Sequence, residues 1–218
     1  MSEPGRHDFE TVSSRVLYSG AILALRQDQV RMPDGRVAER EVIEHHGAVA
    51  VLALDNDGNV VLIRQYRHPI GTRLLELPAG LLDIDGEDPL TAAKRELAEE
   101  TGLAAQQWSV LVDVALSPGF TDEALRVFFA TGLSATDRPD PEHEEADLEL
   151  VRMPLQEAVR AALAGEIVNA TAVAGVLAYA AAEASGVPLR QADAPWPGQP
   201  TKFLRRKVAE AAARGNQA

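Results

Sequence analysis

Three glutamates, Glu96, Glu99 and Glu100, stand in the run Arg95-Glu96-Leu97-Ala98-Glu99-Glu100-Thr101-Gly102-Leu103. On a helix advancing about 100° per residue they fall within roughly 100° of one another and share a face. Like charges at this spacing destabilise a helix by about 0.2–0.5 kcal/mol per pair, and acids near a helix C-terminus also oppose its dipole. Arg95 can pair with Glu99 at i+4, but one cation does not neutralise three anions. A hard divalent cation would. Clustered oxygen ligands suit Mg²⁺ or Mn²⁺, ions that keep several waters and bridge carboxylates to substrate phosphates.

Taken alone, such a triplet is more often a solvated acidic helix face. Its surroundings argue otherwise. Leu77-Pro78-Ala79-Gly80 precedes it, Glu87 stands at the helix entry and Gly102 at its exit, so that Gly80 to Gly102 form one constellation of 23 residues. Ala92 and Ala93 lie one turn earlier on the same side, where small side chains would leave room between the carboxylates and whatever faces them.

The elements that must position these groups follow from pattern. Residues 12–46 read as a small antiparallel meander, because apolar residues such as Val16, Tyr18, Leu23, Leu25, Val42 and Ile43 are broken only by turn signals at Gly20 and Met32-Pro33-Asp34-Gly35. Ala48 to Leu54 and Val60 to Gln65 read as strands joined by a hairpin signal, Asp55-Asn56-Asp57-Gly58. Pro89 opens a helix that Gly102 closes. Strands are expected at Gln107 to Leu116, Leu125 to Ala130 and Leu148 to Met153, and helices at Pro154 to Ala164 and Val168 to Ala184. This mixed order fits an α+β sandwich better than a regular βαβ repeat. Gly186 to Pro200 reads as a wandering connection to a short basic helix, Lys202 to Arg214. The divisions expected are residues 1–46 for the meander, 47–185 for the main domain and 186–218 for a C-terminal extension.

The 218 residues, 46% of them hydrophobic and 25% charged, can bury a substantial core. Without cysteine there is no disulfide framework, thiolate zinc site, cysteine-ligated iron–sulfur cluster or cysteine nucleophile. A net charge of −12 disfavours general affinity for nucleic acid. Ile167 to Ala182, the longest mostly apolar stretch, falls short of the roughly 20 residues of a membrane span. The N-terminus, MSEPGRHDFE, has no signal-peptide core, and a cytoplasmic protein that engages no membrane is expected.

On these residues the chain resembles the Nudix hydrolase family, whose signature is G-x5-E-x7-R-E-U-x-E-E-x-G-U with U apolar. Gly102, Glu100, Glu99, Leu97, Glu96, Arg95 and Glu87 match, with seven residues between Glu87 and Arg95. Six residues rather than five separate Gly80 from Glu87, a one-residue insertion ahead of the helix. The resemblance implies a Nudix-type α/β/α sandwich with a mixed sheet. It further implies Mg²⁺-dependent hydrolysis of a nucleoside diphosphate derivative, with Glu96 and Glu100 as main metal ligands, Glu99 and the Ala79 carbonyl as further ones, and Mn²⁺ as the alternative ion. Glu87 and Arg95 would brace the loop and helix through an ion pair.

Pro118 lies sixteen residues beyond Gly102, as in the ADP-ribose pyrophosphatase subgroup of that family, although a proline in a strand-to-strand loop is usually just a turn former. Together with Leu75-Glu76-Leu77-Pro78-Ala79-Gly80, Arg64-Gln65-Tyr66-Arg67 and the N-terminal meander, the likeness covers most of residues 10–185. It implies that Arg67 and Glu76, with Arg64 and Arg40 as further candidates, hold the diphosphate or terminal ribose. Each arginine could instead be a surface cation paired with one of the many acids. It also implies a loop glutamate as general base, Glu145 first and Glu144 second, and a homodimer in which residues 10–45 pack across the partner. The reaction expected is hydrolysis of ADP-ribose to AMP and ribose 5-phosphate. The rivals are another sugar nucleotide or a dinucleotide as substrate, or a silent ADP-ribose sensor with the basic helix (Lys202, Arg205, Arg206, Lys207) as contact surface. Trp108 and Trp196 could stack on adenine or simply pack in the core.

Overall fold

The computed structural model describes residues 8–138 and 147–215. In chain order its strands and helices are β1 (Thr11–Ser19), β2 (Leu23–Arg31), β3 (Val37–His45), β4 (Ala48–Ala53), β5 (Asn59–Arg67), β6 (Thr72–Glu76), β7 (Ala79–Leu81), α1 (Pro89–Thr101), β8 (Leu103–Ala115) and β9 (Ala124–Ala135). They continue with β10 (Glu149–Pro154), α2 (Leu155–Ala164), α3 (Ala170–Ser185), β11 (Arg190–Gln191) and α4 (Lys202–Gly215). These segments gather into two units: residues 1–47, 115–123 and 200–218 in one, 48–114 and 124–199 in the other. Helix α4 falls in the first unit and β11 in the second.

In the first unit β1, β2 and β3 form the antiparallel meander, in that order. Gly35, at φ 82°, takes the left-handed conformation that the β2–β3 turn requires. The segment around Pro118 is tied to β3, since the Ile43 amide donates to the Phe120 carbonyl at 2.7 Å and the Asp122 amide donates to the Ile43 carbonyl at 3.1 Å. Helix α4 seats Phe203, fully buried, against the His46 ring at 4.5 Å between centroids.

The second unit holds a five-stranded sheet in the order β11-β8-β9-β4-β7, in which β4 runs parallel to β9 and antiparallel to β7. A three-stranded antiparallel sheet, β10-β5-β6, accompanies it. All of β4 is buried, and its two-residue period sorts the core into two layers. Ala48, Ala50 and Leu52 pack with Val60, Leu62, Leu77, Val127 and residues of α2 and α3; Val49, Val51 and Ala53 pack with Phe128 and with Ala92, Ala93 and Leu97 of α1. This is the expected α+β sandwich, with α1 on one face and α2 and α3 on the other.

Three sequence expectations are corrected here. The turn at Asp55–Gly58 forms, but β4 and β5 share only one isolated bridge, Leu54 to Val60, before entering different sheets, so the hairpin signal marks a divergence between sheets. Ala92 and Ala93 leave no open space: both are fully buried in the core, and their small size lets α1 lie close on β4 and β9. The connection after Gly186 includes β11, which pairs with β8.

Candidate active site on helix α1

Helix α1 begins where the Asp88 side chain accepts hydrogen bonds from the Leu90 and Thr91 amides, with Pro89 in the first turn. It ends at Gly102, whose φ of 67° is the left-handed cap and whose amide donates to the Ala98 carbonyl. Between these ends the acids occupy a buried side: Glu96 is 9% exposed and Glu100 7%.

Two backbone features receive them. The Ala79 amide donates to Glu100 Oε2 at 2.9 Å. A Cβ built on Gly80 would overlap the Glu96 carboxylate where it stands, so this glycine serves close approach and not an unusual backbone angle. The inserted residue between Gly80 and Glu87 leaves these contacts in place.

Arg95 is the cation of the cluster. Its guanidinium donates twice to Glu87, at 3.0 Å each, and from Nη1 to Glu96 at 2.7 Å and to Glu99 at 2.9 Å. The hydrogen bonds to Glu87, the charge of Glu96 and the hydrogen bond to Glu99 outweigh burial and hold it firmly in the charged form. Burial nonetheless pushes the Glu96 carboxyl above the ordinary range, with Arg95 opposing the rise and Glu99 and Asp83 adding to it. Glu87 and Arg95, the pair named by the resemblance, are brought together in an ion pair at 3.0 Å. Among the described residues no three acidic or histidine side chains converge as they stand on a single metal position. Glu96 Oε1 and Glu99 Oε2 are both engaged by Arg95 Nη1.

The arginine candidates have separate surroundings. On β5 Arg67 makes a paired contact with Glu76 of β6, at 2.9 and 2.7 Å, and Glu76 is only 2% exposed. Arg64 pairs with Glu149 at 3.1 Å across the β5–β10 ladder. Arg40 lies on β3 in the other unit, donating to the Glu39 carbonyl and to Met32 Sδ. Pro118 lies in that unit too, where the Phe120 and Thr121 amides fold back onto the Ser117 carbonyl at 3.1 Å. Glu144 and Glu145 fall outside the described residues.

Sequence reasoning missed several contributors. Asp88 carries the usual N-cap signal, an aspartate directly before Pro89, and could have been read. Arg138 donates from Nε to the Glu99 carbonyl at 2.8 Å, placing a cation at the C-terminal end of α1 where the acids oppose the dipole; no local motif announces it. Both tryptophans are packed: Trp108 donates to the Ala105 carbonyl and sits edge-on to Phe128. Trp196 covers Arg126 at 4.9 Å and lines a hollow of about 430 Å³ beside Asp88 and Leu90, at the end of α1 away from Glu100. Two of the four cations on the basic helix are internal, since Arg206 binds Glu44 and Lys207 binds Glu210 and the Gly20 carbonyl.

Comparison with known proteins agrees with this geometry. The NUDIX domain model matches residues 44–173, and the nucleoside diphosphate sugar hydrolase N-terminal domain matches residues 9–43. An ADP-ribose pyrophosphatase of Mycobacterium tuberculosis (strain ATCC 25618 / H37Rv) is 54% identical over 93% of this chain and 98% of its own. A methanol dehydrogenase activator of Bacillus methanolicus is 38% identical over 69% of this chain and 81% of its own. Among solved structures, an ADP compounds hydrolase superposes with a TM-score of 0.70 at 20% identity, covering 84% of this chain and 99% of that one, a likeness of fold. With its domain model spanning more than half the residues and the glutamate helix seated on Gly80 as that motif demands, the chain belongs to the Nudix family.

Proposed function

We propose that the protein hydrolyses the diphosphate of ADP-ribose to AMP and ribose 5-phosphate with the help of Mg²⁺. The observation that carries this reading is the near full-length likeness, 54% over 93% of the chain, to an ADP-ribose pyrophosphatase. In the reaction water forms a new P–O bond, the bridging P–O bond breaks, and a proton is released.

The donor set fits a hard divalent ion by its chemistry. Three carboxylates, two of them buried, stand on one helix, where Arg95 pairs with Glu96 and Glu99 and the Ala79 amide donates to Glu100, and Gly80 leaves the Glu96 carboxylate room against the loop. Glu96, Glu100 and Glu99, with the Ala79 carbonyl, would hold the ion. When bound, it supplies charge to stabilise the transition state and lowers the pKa of water.

The remaining roles belong to the chain's own residues. Glu87 holds Arg95, and through it the turn of α1 that carries Glu96 and Glu99. Glu76 fixes the plane of the Arg67 guanidinium, a fork suited to phosphate oxygens. Glu145, or failing that Glu144, takes the proton from the attacking water. Homodimerisation through residues 10–45 is part of the same reading, and it is supported by β1, which is exposed along its whole length while carrying Val12, Val16, Leu17 and Tyr18.

The test is kcat/KM with Mg²⁺ over ADP-ribose, sugar nucleotides and dinucleotides, with product identification. ADP-ribose should lead the panel and yield AMP, and preference for another nucleoside diphosphate derivative would overturn the assignment. Glu145→Gln and Glu144→Gln, compared side by side, identify the base by the larger fall in kcat. Light scattering checks the dimer, and a monomer at micromolar concentration would remove it.

A further inference from the structure

We infer that Gly175, in the middle of α3, is a positioning residue for both halves of the site, acting through Leu77. This rests on the reading above only for the claim that turnover depends on it. Helix α3 reads Ala-Thr-Ala-Val-Ala-Gly-Val-Leu-Ala-Tyr-Ala-Ala-Ala-Glu-Ala-Ser, so alanine stands at almost every position where a small residue would serve. Glycine within a helix is less stable than alanine, and Gly175 is not among the glycines with positive φ. What it supplies is space. A Cβ at Gly175 would come 2.7 Å from Leu77 Cδ1, closer than side chains pack, and 3.4 Å from Val127 Cγ1, an ordinary contact.

Leu77 is 1% exposed and belongs to the core layer that includes Leu52, Val127 and Val176, so it has little freedom to move aside. The backbone on either side of it carries the site. Glu76, the buried partner of Arg67, precedes it. Pro78 follows, its carbonyl accepting from the Val51 amide at 2.9 Å, and then come Ala79, which donates to Glu100, and Gly80, against which Glu96 lies. The α3 surface, the Leu77 peg, the Ala79–Gly80 segment and the carboxylates of α1 are therefore stacked in direct contact. A methyl group on Gly175 pushes the peg and shifts Ala79 and Gly80 against Glu100 and Glu96.

The experiment compares wild type, Gly175→Ala, Leu77→Val and the double variant by hydrogen exchange of the Ala79 amide and by steady-state kinetics. Gly175→Ala should accelerate Ala79 exchange by about tenfold, with amides of α2 unchanged. It should lower kcat/KM by about tenfold or more and raise the Mg²⁺ concentration needed for half-maximal rate. Trimming the peg in the double variant should restore both. Unchanged Ala79 exchange in a folded Gly175→Ala protein, or a defect that Leu77→Val does not relieve, overturns the inference. If Gly175→Ala is insoluble, Leu77→Ala alone decides, since withdrawing the peg should also speed Ala79 exchange and an unaltered rate refutes the coupling. Exchange needs no substrate, so a wild-type protein inert toward ADP-ribose would count against the proposed function while the exchange data still judge Gly175.

Discussion

Glu44 and Glu96 are both buried glutamates, 2% and 9% exposed, and their environments push them in opposite directions. Burial would raise Glu44, but it receives Arg206 at 2.9 and 2.6 Å and Arg26 at 2.6 Å, and those contacts bring its carboxyl below the ordinary range. Glu96 has one hydrogen bond from an arginine already serving Glu87 and Glu99, and burial wins. The first arrangement pairs its anion with two arginines, so that removing one side leaves buried charge uncompensated. The second leaves acid in excess of base on α1, which a stability account disfavours and a cation-binding account requires. Burial of a carboxylate is thus not informative by itself; the ratio of cations to anions around it is.

The largest effect should come from Glu100→Gln, which removes a carboxylate charge while keeping an acceptor for the Ala79 amide. Turnover should fall by about 10³-fold, the scale of losing a main electrostatic contributor, with little change in stability. A near wild-type rate would erase the functional half of the contrast. The complementary change, Glu44→Gln, should leave Arg26 and Arg206 under-compensated and cost about 3 kcal/mol in urea denaturation. Glu96→Gln should cost far less, because its charged form is already disfavoured by burial. Equal losses of stability in the two variants would show that they do not differ as described.

Acid should sharpen the difference further. Glu44 and Asp113 have folded-state pKa values below their ordinary 4.5 and 3.8. Burial opposes both shifts, and arginines outweigh it, Arg206 and Arg26 at Glu44 and Arg126 and Arg190 at Asp113. Their contribution is complete above the ordinary values and is lost as pH falls through the lower folded ones. Melting temperature should be flat above about pH 5 and drop below it, less steeply in Glu44→Gln. The smallest effect belongs to Arg138→Ala, which removes the cation at the end of α1 and should cost about 0.3–1 kcal/mol, reduced by added salt.

Much of α1 was legible because its information is local: Pro89 and Gly102 bound the helix, and the glutamates sit at fixed helical spacing. The burial of Ala92 and Ala93 was not, since periodicity places them on the side of the acids without saying that β4 and β9 lie there. A glycine at position 80 can be read, but its contact with Glu96 depends on how β7 meets α1. The Asp55–Gly58 turn was visible, while the departure of β4 and β5 into different sheets is a tertiary outcome that no local signal encodes. Glu44 with Arg206 spans 162 residues of chain, and such pairs leave no trace in spacing.

The central claim is that the acids of α1 exist to hold a divalent cation, and Mn²⁺ titration followed by electron paramagnetic resonance tests it most directly. Wild type should deplete the free-ion signal saturably, and Glu100→Gln should weaken that binding by about tenfold or more while remaining folded. Identical titrations of the two proteins, or no depletion by wild type, would contradict it.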